Sequence, residues 1–291
     1  MKKQMRWMGC VGAGLILTVS ALAQGSAVKT GEKIAFLGDS ITQQGADGPG
    51  GYVRLVISGL EANGVKAEAI PAGISGNKSN QMLERLERAV LSKKPAWMTL
   101  SCGVNDVWHG EKGIPLDQYQ QNITKIVDRC QAAGVKVMLL TSTMIREDQG
   151  NEFNQKLVAY NAFLRALAVE KKCLLADLNA EMQVTLAQAK KTQPRPANGN
   201  YLTADGVHMN PAGNQMMALG VLRGFGLGET QLAKTREYWL DLPGTCELAA
   251  KAKLTQRQYQ QLSALAAQKK CSVDSLVGEA LNQSVAVLLK K

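Results

Sequence analysis

Histidine is nearly absent from this 291-residue chain, with two copies at 109 and 208, and the six cysteines include no C-x-x-C pair. A zinc cage draws on closely spaced Cys and His, so a metal site of that kind is excluded. Aromatics make up 5% and prolines number eight. The 28 glycines follow no fixed period, and the chain is neither low-complexity nor collagen-like. Lys and Arg outnumber Asp and Glu by 34 to 24, but they are interspersed with acids. The basic stripe of a nucleic-acid binder is missing. The glycine-rich stretch 45–51 lacks the Gly-Lys-Ser/Thr of a phosphate loop. It reads as a mobile rim instead. What remains is an ordinary globular mixture, 45% hydrophobic and 20% charged, long enough to bury a core in one or two domains.

One apolar run stands apart. Lys2, Lys3 and Arg6 precede the small and apolar stretch 11–23, which closes on Ala21-Leu22-Ala23. This pattern predicts a secretory signal peptide cleaved near Ala23 and an exported protein, periplasmic or extracellular, with no stable membrane insertion. Cys10 precedes the apolar run rather than following it, so it does not mark a lipid anchor. The rest of the chain carries 31 basic and 24 acidic residues and five cysteines: Cys102, Cys130, Cys173, Cys246 and Cys271. Export permits disulfides. Two readings stay open, a Cys246–Cys271 pair or free thiols.

Short apolar runs at 33–37, 65–70, 95–100, 135–140 and 173–178 read as five strands. Stretches at 52–60, 82–91, 116–133, 153–169 and 211–222 place apolar residues at helical spacing. Strands alternating with helices predict a parallel sheet covered on both faces, a doubly wound three-layer α/β/α sandwich. Ligands in such sheets bind at the carboxyl ends of the strands. After about residue 228 the alternation stops. Residues 254–270 and 272–289 read as two helices, with Thr255 and Gln258 forming a capping box and Ser272 a second cap. The expected organisation is a signal peptide (1–23), an α/β domain (24–228) and a C-terminal helical extension (229–291).

Polar residues at the strand ends carry the chemistry. Gly38-Asp39-Ser40 closes the first strand, a strand-to-helix turn that exposes the Ser40 hydroxyl and leaves its N–H free. His208 is the candidate general base, and Asp205, three residues earlier in a turn, is placed to hold its other ring nitrogen. Asn105 follows the third strand, and Gly73 follows the second. With the Ser40 N–H they form a possible three-donor oxyanion hole. His109 and Trp108 are candidate pocket walls.

In combination, Ile34-Ala35-Phe36-Leu37-Gly38-Asp39-Ser40-Ile41-Thr42, the block 73–79, Gly103-Val104-Asn105-Asp106 and Asp205-Gly206-Val207-His208-Met209-Asn210 resemble the SGNH hydrolases, also called GDSL esterases and lipases. The resemblance covers about residues 32–225. It implies Ser40 as nucleophile, Asp205 and His208 as the rest of a triad, and Ser40, Gly73 and Asn105 as oxyanion donors. It implies a flavodoxin-like sheet and no metal or organic cofactor. Ile41, Pro71 and Met209 depart from common family residues at packing or supporting positions. The resemblance further implies an exported serine esterase acting on small-molecule or carbohydrate esters, acetyl esters first. Alternatives are a lysophospholipase or thioesterase for longer acyl chains and a silent binding module on the same fold. A silent relative loses Ser or His, and this chain keeps both.

Overall fold

In a computed structural model, residues 25–244 and 254–290 are described. The signal-peptide expectation lies outside them. So does Cys246, and with it the Cys246–Cys271 pairing. The chain divides into two compact units, up to Cys246 and from Glu247.

The described residues of the first unit form five strands: β1 (Lys33–Gly38), β2 (Glu68–Gly73), β3 (Trp97–Ser101), β4 (Lys136–Leu140) and β5 (Leu174–Ala176). All pair in parallel, in the order β2-β1-β3-β4-β5. The three central strands are buried nearly end to end, which is why each reads as an unbroken apolar run. Pro71 fits in β2 because that strand is at the edge and needs no outward N–H.

Among the described residues ten α-helices accompany the sheet: α1 (Ser40–Asp47), α2 (Tyr52–Ala62), α3 (Ser79–Glu84), α4 (Leu86–Ala89), α5 (Val104–Trp108), α6 (Leu116–Ala132), α7 (Glu152–Glu170), α8 (Leu178–Thr192), α9 (Pro211–Gly224) and α10 (Glu229–Leu240). One layer joins α2 to α9 and α10, and α9 to α8; the other joins α6 to α3 and α7. The result is the expected α/β/α sandwich with a flavodoxin-like strand order.

Two expectations change. The stretch 45–51, expected as a rim, is packed at both ends, with Gly45 and Gly51 buried. Gly45 ends up buried in α1, and a Cβ there would lie 2.4 Å from the Tyr52 ring, while one on Gly51 would lie 2.3 Å from the Gly45 carbonyl. These glycines let α1 and α2 close together. The first unit also runs past residue 228. Helix α10 buries Leu232, Thr235 and Trp239, and the Trp239 indole donates to Ser58 of α2 at 2.9 Å.

The second unit is a hairpin of α11 (Gln256–Gln268) and α12 (Val273–Leu288). Thr255 and Gln258 cap α11 reciprocally, and Ser272 accepts from the Ser275 N–H at the start of α12.

Candidate active site

The strand order reverses direction once. The chain leaves β1 toward β2 and leaves β3 toward β4, so a crevice opens outside the carboxyl ends of β1 and β3. Ser40 lies two residues past the end of β1, and Asn105 lies one turn beyond β3.

Asp39 builds the first corner. Its buried carboxylate caps α1, accepting from the Ile41 N–H at 2.9 Å. Ser40 is therefore the first helical residue, where the N–H has no intrahelical acceptor. Burial, with a smaller push from nearby Asp106, lifts the Asp39 carboxyl to about 6 against the pull of the Ile41 N–H. Burial likewise raises Asp106, whose carboxylate takes the Ser79 N–H at 3.0 Å and the Cys102 thiol at 3.4 Å.

The second corner is a tight turn before α9. Asp205 Oδ1 accepts the N–H groups of Val207 and His208 at 2.9 and 2.8 Å. Its Oδ2 lies 2.6 Å from His208 Nδ1. The turn is closed by a bridge between Thr203 and Met209, and Asn210 with Pro211 starts α9 behind it. The other ring nitrogen, Nε2, lies 2.9 Å from Ser40 Oγ. Burial raises the Asp205 carboxyl, but the His208 ring and the two backbone N–H groups outweigh it and hold the group below the usual carboxylate range. Ser40, His208 and Asp205 thus form one hydrogen-bonded chain across 168 residues of sequence.

Around them lies a hollow of about 320 Å³ lined by Ser40, Ser75, Gly76, Asn105, Trp108 and His109, among others. Trp108 and His109 stand where expected, as walls. Asn105 Nδ2 donates to the Asn77 carbonyl at 3.2 Å, which leaves its second N–H for a ligand.

Gly73 does not join them, and this corrects the expected donor set. Strand β2 runs to Gly73, three residues past the apolar run that signalled it. The next residue, Ile74, donates to the Gly38 carbonyl at 3.1 Å. Successive strand N–H groups point in opposite directions, so the Gly73 N–H faces the open sheet edge, away from β1 and Ser40. The glycine that borders the hollow is Gly76, with φ +73°. Its N–H has no protein acceptor among the described residues. Its loop is held from below by buried Arg85, which donates to Asn77 Oδ1 at 2.7 Å and to the Gly38 carbonyl at 2.8 Å. The signal for Gly76 was present in Ser75-Gly76-Asn77, a turn sequence, but ending the strand at Ile70 placed the turn too early.

Residues 36–216 match the model of the GDSL-like lipase/acylhydrolase family. An acetylxylan esterase of Geobacillus stearothermophilus is 28% identical over 218 residues, 68% of this chain and 96% of that protein. A crystal structure of an acetylxylan esterase from that organism superposes with a TM-score of 0.61 at 27% identity, covering 69% of this chain and 97% of the other. Another solved acetyl xylan esterase is 35% identical, with a TM-score of 0.59, covering 65% and 97%. Sequence, sheet order and strand-end geometry agree: the chain belongs to the GDSL-like lipase/acylhydrolase family and is a carboxylic ester hydrolase.

Proposed function

We propose that the chain hydrolyses short-acyl esters through a Ser40 acyl-enzyme. The observation that carries this reading is the continuous path from Ser40 Oγ through the His208 ring to Asp205, at 2.9 and 2.6 Å. The Asp205 carboxylate fixes the tautomer with the proton on Nδ1, so Nε2 is free to accept the Ser40 proton. As Oγ bonds to the ester carbonyl carbon, Nε2 takes that proton and the carbonyl oxygen becomes an oxyanion. The N–H groups of Ser40 and Gly76 and the Asn105 amide stabilise it. Collapse breaks the bond to the alcohol, which leaves with the proton from Nε2. Water then repeats the sequence and releases the acid and Ser40.

Acetyl esters of carbohydrates are the substrate class this reading favours. The modest hollow suits a short acyl group, and two of the similar solved proteins are acetylxylan esterases. The N-terminal segment fits export, where such polymers lie. Fluorophosphonate labelling tests the mechanism: the wild type takes one label and Ser40→Ala takes none while remaining folded. Labelling or full ester turnover by that variant would overturn it. A p-nitrophenyl series tests acyl length, with acetate expected to give a far higher kcat/KM than octanoate.

A further inference from the structure

Residues 146 and 147 both adopt left-handed backbone, with φ of 58° and 48°. Two consecutive non-glycine residues in that region persist only where their surroundings hold them. The holding contacts are explicit. The buried Glu147 carboxylate accepts four hydrogen bonds, from the N–H groups of Tyr201, Leu202 and Thr203 and the Thr203 hydroxyl, at 2.7–2.8 Å. The Arg146 N–H donates to the Gly206 carbonyl at 2.6 Å, inside the turn that carries Asp205 and His208.

This backbone sets the exposed Arg146 side chain against Trp108. Its guanidinium lies 5.5 Å from the centroid of Trp108, a wall of the hollow, and 5.7 Å from that of Phe153. The two rings stack on each other at 5.4 Å and 21°, so the cation rests on a packed aromatic base. Arg165 spends its donors on Asp177, Arg223 on Glu181 and Glu229, and Arg129 on Glu87. The Arg146 guanidinium forms no ion pair or hydrogen bond among the described residues. The acids around it are otherwise engaged. Glu147 points inward to residues 201–203, Asp205 is held by His208, and Asp148 accepts from the Gly150 N–H. An oriented planar cation without an ion pair, resting on a wall of the hollow that holds Ser40, matches a carboxylate, which takes two parallel N–H bonds from the guanidinium edge.

We propose that Arg146 is a carboxylate subsite, and that the preferred esters are acetylated sugars bearing a uronic acid. This rests on Ser40 as the nucleophile of the same hollow. The test compares the same acetyl ester on methyl glucuronide and on methyl glucoside, which differ only at C6. The wild type should favour the glucuronide in kcat/KM by about tenfold at low ionic strength, the scale of one charge-assisted contact, and the preference should shrink in salt. Arg146→Gln should bring the ratio to about one, and Arg146→Lys should fall between, since it keeps charge without the fork. Using the ratio within each variant cancels any general loss of activity. A wild-type ratio near one, or one unchanged in Arg146→Gln, overturns the subsite. Ligand-detected NMR of methyl glucuronide binding separates this result from the mechanism, because it needs no turnover. Binding lost in Arg146→Gln supports the subsite even if Ser40 proves not to be the nucleophile, and a wild type that neither prefers nor binds the glucuronide refutes it.

Discussion

Asp39 stands next to the nucleophile and carries a protonation equilibrium of its own. Its folded pKa of about 6 exceeds the ordinary 3.8 because burial penalises the charge. Between those values the folded state binds more protons than the unfolded one, so stability falls as pH rises. Above about pH 6 the full penalty is present, about 3 kcal/mol at 1.36 kcal/mol per unit. Asp205 has the opposite sign: its depressed pKa contributes stability that is lost as pH falls through it. Asp39→Asn keeps an acceptor for the Ile41 N–H and removes the charge. Relative to wild type it should gain up to about 3 kcal/mol on going from about pH 4 to pH 7.5, read by denaturant unfolding. Parallel curves for the two proteins would show that Asp39 does not titrate in this range. Asn105 makes a different prediction, because its free N–H faces charge that develops only in the transition state. Asn105→Ala should lose about 10²–10³ in kcat with KM nearly unchanged. A folded variant with near-wild-type kcat would remove Asn105 from the oxyanion donors.

At the scale of elements, the turn that presents His208 depends on its neighbour. Residues 201–203 lead into that turn, and all three donate backbone N–H groups to Glu147. Glu147→Gln turns an amide N–H₂ toward donors and leaves at least one buried N–H unpaired, a loss of about 1–3 kcal/mol. The turn should loosen with it, so fluorophosphonate labelling of Ser40 should slow several-fold well below the melting temperature. A lowered Tm with unchanged labelling would confine Glu147 to stability. Nothing in the sequence marks this clamp, since a lone Glu in a loop has no pattern. The strands, in contrast, were legible, because β1, β3 and β4 are buried nearly end to end and carry mainly apolar side chains. The Asp205–His208 contact was legible too, because it closes within three residues. Gly73 was misplaced because strand length past an apolar run is set by pairing with β1, a non-local fact. Helix α8 escaped notice because its buried face mixes Asn179 and Ala189 with Leu178, Met182 and Leu186, and α10 because Thr235 occupies a core position between Leu232 and Trp239.

Across the whole chain, the position of the unit boundary decides which truncations are tolerated. Every residue of the candidate site lies in the unit that ends at Cys246, and that unit includes α10. The alternation of strands and helices, by itself, would end it at Gly228. The two boundaries predict different proteins. Ending at Gly228 removes Leu232 and Trp239, which are 0% and 3% exposed, and strips the cover from α2 at Gly59, which packs so closely that a Cβ would clash with Leu222 and Thr235 and press on Trp239. It also leaves Asn63 Nδ2 without its 2.8 Å partner on Thr235. Losing two large buried side chains at about 1.5–3 kcal/mol each amounts to several kcal/mol, so Tm should fall by about 10 °C or more in a domain of this size. Ending at Cys246 removes only α11 and α12, which bury Ala266 and Leu276 and no site residue. That protein should keep its Tm, its Ser40 labelling rate and its kcat on p-nitrophenyl acetate. Equal Tm values for the two truncations would show that α10 adds nothing to the α/β unit. A well-folded Cys246 truncation that had lost turnover would show that the helical hairpin shapes the site.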